Sequence, residues 1–252
     1  MVVETQIGHS TRDSITIRGY DLANDLMGEQ DFVSVAFLQM IGRLPNEREK
    51  AMLNVILVVV SDHGLTPSAL SARLTYFGAP ESLQGAVASG LLGAGTRILG
   101  AMQEASALLR NAVSEYEPID AGTFSETAQH VIDTEQAAGR RLPGFGHPIH
   151  LDGDPRVPRL KEIARENGFF GPHLTLAEAI EERLNVGTRQ LPMNAAAAIG
   201  GIVSDMSLPP SLARGLALVG RAAGLVAHIL EESEAPLARE IWSAADSSVS
   251  PR

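Results

Sequence analysis

Apolar residues recur along most of this chain at intervals of three and four, the spacing that places them on one face of a helix. Only Ser14 to Tyr20, where isoleucines alternate with polar residues, has the period of two typical of a strand. The sequence therefore predicts an all-α protein. The predicted helices are Phe32 to Met40, Arg48 to Val60, Pro67 to Tyr76, Leu83 to Leu92, Ile98 to Val113, Phe124 to Ala138, Val157 to Glu166, Leu176 to Leu184, Asn194 to Met206 and Ser211 to Leu230.

Small residues crowd two of these helices, at Ala86 to Gly95 and at Asn194 to Gly201. Alanine and glycine let helices pack at close range, and such packing accounts for both runs without any chemistry. The acidic, proline-containing end, Glu231 to Arg252, is expected to be partly extended.

Composition narrows the class of protein. The 252 residues are 44% hydrophobic, enough for one large or two modest domains. A net charge of -10 argues against binding to nucleic acid or to anionic membranes, so an anionic ligand must find local arginines. With no cysteine, disulfides, thiolate metal sites and cysteine nucleophiles are excluded. The amino terminus lacks signal-peptide features, and the longest apolar run, ending at Val60, is shorter than the roughly 20 residues of a membrane span. A cytoplasmic protein is expected.

A histidine stands among loop-forming residues in Leu142-Pro-Gly-Phe-Gly-His-Pro148, and Asp154-Pro-Arg156 follows closely. Pro148 biases His147 away from helical geometry, and the neighbouring glycines let the backbone approach a ligand. A loop of this kind presents an acid or base, with a carboxylate-binding arginine behind it. The alternative is a buried, hydrogen-bonded histidine.

Polar residues also interrupt two apolar helices. Ser61-Asp62-His63-Gly64 ends one of them and directs polar groups towards a partner, unless Asp62 caps the next helix or pairs with His63. Arg221 lies between Gly220 and Gly224 in another, and a charge that faces inward needs an anionic ligand or a structural salt bridge.

Two further patterns predict little on their own. His147 and His150 lie close to Asp152 and Asp154, but Pro148 disrupts the helical spacing that would bring the two imidazoles together, so no metal site is predicted. Arg239, on its own, has the pattern of a solvated surface arginine.

Taken together, the motifs resemble the citrate synthase superfamily, especially citryl-CoA lyase and the citryl-CoA lyase module of ATP citrate lyase. The resemblance implies an all-α, citrate synthase-like fold in an intertwined homodimer, with a large helical domain of residues 1–100 and 195–252, a small one of residues 101–194, and an active site in the cleft between them. The matching positions, in chain order, are Arg18-Gly-Tyr-Asp21, Gly42-Arg-Leu-Pro45, Ser61-Asp-His-Gly64, Ser68, Ser89-Gly-Leu-Leu92, Gly144-Phe-Gly-His147, Asp154-Pro-Arg156, Gly220-Arg221 and His228.

The resemblance also implies roles for particular residues. His63 and His147 would contact an oxo or hydroxy acid, and His147 would transfer the proton at its carbonyl or hydroxyl oxygen. A coenzyme A thioester would be substrate or product, with no permanently bound cofactor. The residues implied to bind the acid are Arg156, Arg221, Ser68 and, from the partner subunit, Arg239. Those implied to lie against coenzyme A are Gly144, Phe145 and Gly146.

Two catalytic positions depart from the family pattern. Ile98 or a neighbour stands where citrate synthases have an enolate-stabilising histidine, and Ala196 replaces the aspartate of their Asn-Val-Asp motif. Asp205, nine residues further along the same helix, lies about 13.5 Å away and cannot substitute. Both losses damage condensation more than cleavage, because cleavage starts by removing a hydroxyl proton, which His147 could accept.

The sequence therefore predicts a citryl-CoA lyase-like enzyme that cleaves, or reversibly forms, a 3-hydroxy-3-carboxyacyl-CoA. Its products would be an oxo acid and an acyl-CoA, and the absence of a carboxylate at Ala196 leaves room for a bulkier acyl chain. Two alternatives stay open. One is a catalytically impaired binding protein that keeps the arginines, and the other is a citrate synthase that acts on a different acyl-CoA.

Overall fold

The computed structural model describes residues 4–116, 123–186 and 190–249. As predicted, this part of the chain is helical, apart from a small antiparallel sheet in the order β1-β2-β3. Two π-helical segments, Leu22–Leu26 and Gly95–Gly100, accompany the α-helices. The elements are β1 (Gly8–Ser10), β2 (Ile15–Ile17), β3 (Tyr20–Asp21), α1 (Phe32–Ile41), α2 (Glu47–Ser61), α3 (Pro67–Gly78), α4 (Leu83–Leu92), α5 (Ala101–Glu115), α6 (Phe124–Ala137), α7 (Arg156–Glu166), α8 (Pro172–Leu184), α9 (Ala195–Asp205), α10 (Pro210–Glu234) and α11 (Ala238–Ser247).

Differences from the prediction have local causes. The predicted strand is divided into β2 and the start of β3, because Arg18 and Gly19 both take positive φ and turn the chain. The carboxyl end, expected to be partly extended, is mostly helical over its described residues, which reach Val249. The buried Glu232 carboxylate accepts the backbone N–H groups of Leu237 and Ala238 and so begins α11.

The described residues form two compact units, one up to Val55 and one from Ile56 onward. This division differs from the predicted large and small domains, which stay a prediction. In the first unit, a reciprocal pair of hydrogen bonds between Asn46 and Glu49 begins α2, and Arg43 holds the same carboxylate at 2.6 and 2.8 Å.

Helix α9 lies at the centre of the second unit, and nearly every position of it is buried. A Cβ atom at Gly200 would lie 2.7 Å from the backbone nitrogen of Ser106 on α5, and one at Gly201 would lie 3.0 Å from the Cα of Leu174 on α8. The small residues of α9 therefore allow two helices to approach its backbone, which is the packing role predicted for them.

Helix α10 is the one described helix that is long and apolar enough to cross a membrane by length and composition alone. Half of its apolar stretch is buried within the protein, where α10 packs against α3, α4, α5 and α9. This burial accounts for its composition, because a core helix of a folded unit needs the same apolar residues.

Two glycines of α10 bring it onto the last turn of α2. A Cβ atom at Gly220 would lie 2.8 Å from the carbonyl oxygen of Leu57, and one at Gly224 would overlap the carbonyl oxygen of Ser61. Arg221 lies between these glycines and is thereby placed beside the segment that carries Asp62 and His63. The close approach of the two backbones positions this arginine.

We expect Gly224→Ala to lower the free energy of unfolding by about 1 to 3 kcal/mol, the usual effect of overpacking, because the new methyl group meets a backbone carbonyl. In an open helical position the same change stabilises a protein by about 0.5 to 1 kcal/mol. Gly78, at the end of α3, provides the matched control, Gly78→Ala, because a Cβ atom there would have nothing within 4 Å. Urea unfolding of wild type and of both variants measures these free energies. A Gly224→Ala variant as stable as Gly78→Ala would contradict the close approach of α10 to α2.

Candidate active site

Three histidines meet in the second unit. His63 follows the last turn of α2, and His147 and His150 lie in the loop before α7. The Nε2 atoms of His63 and His150 are 3.3 Å apart. The ring centroids of His147 and His150 are 4.5 Å apart in a stacked arrangement, and the His63 and His147 centroids are 5.2 Å apart. Predicted site residues from two distant parts of the sequence are therefore brought together.

The local sequence builds this cluster through a turn. Pro148 has no N–H, and after it the backbone N–H groups of Ile149 and His150 donate to Nδ1 of His147 at 3.1 and 3.0 Å. As predicted, His147 is in a loop. The prediction that Pro148 keeps His147 and His150 apart is wrong, because the turn that follows the proline stacks the two rings.

These hydrogen bonds fix the tautomer of His147. A ring nitrogen that accepts two N–H groups has a lone pair, so neutral His147 carries its proton on Nε2. Burial lowers the pKa of His147, and His150, His63 and Arg156 lower it further against the opposing effect of Asp154. At neutral pH the His147 ring is therefore uncharged and donates a hydrogen bond from Nε2.

Asp154 and Arg156 form a fixed ion pair at the start of α7. The Asp154 carboxylate accepts Nε and Nη2 of Arg156 at 2.8 and 2.7 Å, the backbone N–H of Arg156 at 3.1 Å, and the N–H of Ala195 at 2.9 Å. Burial by itself raises the pKa of Asp154, but these hydrogen bonds outweigh it and hold the pKa well below its usual range. The pair orients Arg156 and joins α7 to the start of α9.

Arg221 is 4% exposed, and its Nε and Nη1 atoms are buried without a hydrogen-bond partner among the residues that the structure describes. The nearest carboxylate oxygen, Oδ1 of Asp62, lies 3.8 Å from Nη1. Burial lowers the pKa of Arg221, Asp62 opposes this, and the nearby Arg156 lowers the pKa further. The structure therefore holds an incompletely paired guanidinium close to a second one.

Asp62 takes neither of the structural roles considered for it. Thr66 caps α3, and Asp62 accepts the N–H of Gly64 and Nε2 of His228, each at 2.8 Å. Nδ1 of His228 in turn accepts Nε of the buried Arg73 at 3.1 Å. This chain of hydrogen bonds fixes the segment that carries His63.

The segment Gly144–Phe145–Gly146 lies against the residues that precede α9. The N–H of Asn194 donates to the Gly144 carbonyl at 2.9 Å, and Nδ2 of Asn194 donates to the Gly146 carbonyl at 2.7 Å. Gly144 has a φ of 86°, and any Cβ there would overlap the backbone of Ala197. Glycine is therefore required at this position by packing, and the predicted contact with coenzyme A stays a prediction.

Other predicted residues lie apart from the histidines or have another partner. Ser68 is fully buried and donates its hydroxyl to the Gly90 carbonyl at 2.6 Å, a contact between α3 and α4, so its position gives no support to substrate binding. Arg239 is exposed on α11, with its guanidinium 5.4 Å from the centroid of the Phe77 ring. Its predicted role in a partner's site stays a prediction.

Two positions on α9 bear on the aspartate that the family pattern has and that Ala196 replaces here. Ala196 is partly buried in the first turn, where its N–H donates to the side chain of Asn194. Asp205, at the other end, accepts the N–H groups of Gly171, His173 and Leu174. Its carboxylate therefore caps α8 and is not available as a base.

The ring nitrogens of His63, His147 and His150 lie within 4.8 Å of one another, which is close enough for a metal ion. Binding through Nε2 would require a proton on Nδ1 of His147, where two N–H groups already point. Arg156 and Arg221 also disfavour a cation beside His63. The cluster is better suited to moving protons.

His150 and Asp154 are the residues whose roles the sequence did not predict, although the His147-Pro-Ile-His150 spacing is visible in it.

We expect Asp154→Asn to lower the free energy of unfolding at pH 7 by about 3 to 5 kcal/mol, because it leaves Arg156 without its buried partner. A depressed carboxyl pKa adds stability that is present above the unfolded value, near about 3.9, and is lost as the pH falls towards the folded value. The difference in the free energy of unfolding between wild type and Asp154→Asn should therefore become smaller below about pH 4. Glu162→Gln, in an exposed pair with Arg159, is the control and should change little. Urea unfolding at several pH values checks this, and a difference independent of pH would contradict it.

Residues 29–241 match the protein family described as "Citrate synthase, C-terminal domain". Curated relatives include ATP-citrate synthase beta chain protein 2 of Arabidopsis thaliana, 24% identical over 208 residues, which cover 75% of this chain and 33% of that protein. Citrate synthase of Heyndrickxia coagulans is 28% identical over 213 residues, which cover 80% of this chain and 52% of that protein. The chain thus spans between a third and about half of the length of these relatives.

Among solved structures, citryl-CoA lyase from Hydrogenobacter thermophilus has a TM-score of 0.80 and 35% identity, over 92% of this chain and 87% of that one. ATP citrate lyase from Methanothrix soehngenii, solved in complex with citrate and coenzyme A, also has a TM-score of 0.80, at 24% identity over 93% of this chain and 39% of that one. The second likeness shows the fold alone. The predicted citrate synthase-like fold is confirmed, and because the family match extends over most of the sequence, the chain belongs to the citrate synthase family.

Proposed function

We propose that this protein is a carbon-carbon lyase of the citryl-CoA lyase kind. It cleaves a 3-hydroxy-3-carboxyacyl-CoA to an oxo acid and an acyl-CoA. The observation that carries this proposal is Arg221, a buried guanidinium with two unpaired donors beside a cluster of histidines. The 35% identity to a citryl-CoA lyase over nearly the whole chain supports the same reaction class.

A buried charge without a full set of partners is costly, so the position of Arg221 indicates an anionic ligand. Asp62 does not satisfy it, since that carboxylate bonds to Gly64 and His228 and stays 3.8 Å away. A guanidinium donates most effectively to a carboxylate that accepts two of its N–H groups. Arg221 is therefore suited to bind a carboxylate of the substrate.

Arg156 supplies a second cation. Asp154 occupies its Nε and Nη2 edge, which leaves the Nη1 side to face a ligand in a fixed orientation. Two guanidiniums in an otherwise acidic protein concentrate positive charge where a di- or tricarboxylic acid has to bind. Together they select substrates that carry at least one carboxylate near the reacting carbon.

The tautomer of His147 changes the role expected for it. Because Nδ1 is occupied by two N–H groups, His147 is poorly placed to accept the hydroxyl proton, and its Nε2–H instead donates to the substrate oxygen. A neutral donor at this oxygen stabilises negative charge as the carbonyl group forms or reacts. His147 is then a hydrogen-bond donor in cleavage, and Ala196 in place of an aspartate favours that direction over condensation.

Coenzyme A enters this proposal as part of the substrate and of one product, and it lies against Gly144, Phe145 and Gly146. The proposal includes a cytoplasmic homodimer in which Arg239 completes the partner's site. The relatives' names support the thioester chemistry, since they include citrate synthases and a citryl-CoA lyase. Ala196 adds no charge to the site, so the proposal does not specify the acyl group.

Arg221→Met should separate ligand binding from stability. Replacing a buried, poorly paired charge by an apolar side chain of similar length is expected to leave the free energy of unfolding unchanged or to raise it by about 1 to 4 kcal/mol. Oxaloacetate, the oxo acid that citryl-CoA cleavage would release, should at 100 times its dissociation constant stabilise wild type by about 2.7 kcal/mol and should not stabilise the variant. Arg214→Met, on a partly buried arginine of the same helix, is the matched control. Thermal unfolding with and without ligand measures both effects, and full ligand stabilisation of Arg221→Met would contradict the proposal.

The second candidate, a binding protein that has lost turnover, is favoured by Ala196 alone. Ala196→Asp restores the carboxylate at the first turn of α9, where the helix dipole stabilises negative charge. In a catalytically impaired family member we expect citrate formation from oxaloacetate and acetyl-CoA to rise at least tenfold above wild type. Coupled detection of released coenzyme A measures this, with Ala197→Ser as a control for substitution in the same turn. No increase, together with citryl-CoA cleavage by wild type, would eliminate the binding-protein candidate.

A further inference from the structure

Cleavage of a hydroxyacyl thioester needs a base for the hydroxyl proton, and the described carboxylates of the site are already engaged. Asp154 accepts four hydrogen bonds, from Arg156 and Ala195. Asp62 accepts hydrogen bonds from Gly64 and His228. Burial by itself raises the pKa of Asp62, but these bonds outweigh it, so the pKa lies below its usual value. His147 has its Nδ1 lone pair occupied. The base therefore has to come from the remaining imidazoles.

Among the described residues, the Nε2 lone pair of the His63 and His150 pair accepts a hydrogen bond only from the other imidazole of the pair. Their Nε2 atoms are 3.3 Å apart, so one of them carries a proton and the other accepts it. The ring of His150 is held in place by its stacking on His147, at a centroid distance of 4.5 Å. The turn that fixes the tautomer of His147 therefore also fixes His150 against His63.

We propose that His63 and His150 form a proton-sharing imidazole pair that serves as the base, an inference that rests on the lyase function proposed above. The substrate hydroxyl approaches both Nε2 atoms from one side, replaces the hydrogen bond between the two rings and gives its proton to the Nε2 atom with the lone pair. The C–O bond becomes the carbonyl of the oxo acid. The bond to the α-carbon of the thioester breaks, its electron pair forms the enolate, and the imidazolium returns the proton to that carbon.

Burial and the surrounding charges keep His63 unprotonated at neutral pH. Burial lowers the pKa of His63, and Arg156, His150 and Arg221 lower it further, while Asp154 opposes them. These groups come from the loop that carries His150, from the start of α7 and from α10. A second proton on the pair would have to lie beside two guanidiniums, so the pair accepts a proton only transiently.

His150→Phe isolates the role of the pair. The phenyl ring keeps the stacking on His147 and removes the nitrogen that faces His63. His130→Phe is the matched control, because His130 is exposed on α6 and contacts Thr134 and the ring of Tyr116. Both variants change one imidazole to one phenyl ring. A difference between them is therefore due to the loss of an imidazole from the histidine cluster.

The pair is tested first without substrate, by ¹⁵N NMR titration of the histidine rings. In wild type we expect His147 with its proton on Nε2, and a pKa of His63 below its usual value because burial and the neighbouring charges lower it. In His150→Phe the pKa of His63 should rise, because the repulsion from a second imidazole is gone, and in His130→Phe it should not change. A proton on Nδ1 of His147, an unchanged His63 titration in His150→Phe, or stoichiometric Zn²⁺ binding by all three rings would each overturn the pair.

The base role is tested by cleavage of citryl-CoA across pH. His150→Phe should lower kcat about 10² to 10⁴-fold, as expected for loss of a general base, with KM changed less than about threefold. Residual activity should need a higher pH than in wild type, because the remaining His63 titrates higher. Wild-type kcat and an unchanged pH profile in His150→Phe would overturn the base role alone. Wild type that cleaves no hydroxyacyl thioester would overturn the proposed function and the base role with it, whatever the titration shows for the pair.

Discussion

Burial and two neighbouring guanidiniums together determine the protonation of the imidazoles at this site. Arg221 is 4% exposed and incompletely paired, and Arg156 is fixed by the buried Asp154. Burial lowers the pKa of His63 and of His147, and Arg156 lowers both further, with Arg221 adding to the effect on His63, so that these imidazoles stay neutral and act as hydrogen-bond donors and acceptors. The chemistry assigned to the site depends on neutral rings, and the rings are kept neutral by burial together with the arginines.

The packing of the second unit serves the same arrangement. Gly220 and Gly224 allow α10 to lie on the last turn of α2, which holds Arg221 beside the Asp62 and His63 segment. Gly144 similarly allows the loop that leads to His147 to lie on the first turn of α9. Contacts between backbones leave little freedom for adjustment, since neither side can rotate away as a side chain can. The positions of the charged groups are therefore set by the main chain.

Much of this could be predicted from sequence because it depends on patterns that are local or repeated. Apolar periodicity located the helices, and the order of several short motifs identified the family and most of the proposed site. The turn after Pro148 could not be predicted, because the donation of two N–H groups to the His147 ring depends on torsion angles that residue types do not specify. Partners distant in the chain caused the other errors. Asp62 pairs with His228, 166 residues away. The helical carboxyl end depends on Glu232, which is buried and paired with Arg73, 159 residues away. Side-chain hydrogen bonds of this range have no periodic signature.

A site rich in arginine also explains why imidazoles are suited to carry the proton. A carboxylate that accepts hydrogen bonds from a guanidinium is held ionised and becomes a weaker base, as the low pKa of Asp154 beside Arg156 illustrates. An imidazole is neutral before it accepts a proton and becomes a cation afterwards, so the same arginines make its conjugate acid stronger. A proton taken from a substrate hydroxyl is therefore readily returned to the enolate carbon. In the proposed lyase, the charges that bind the acid thus also favour completion of the cleavage.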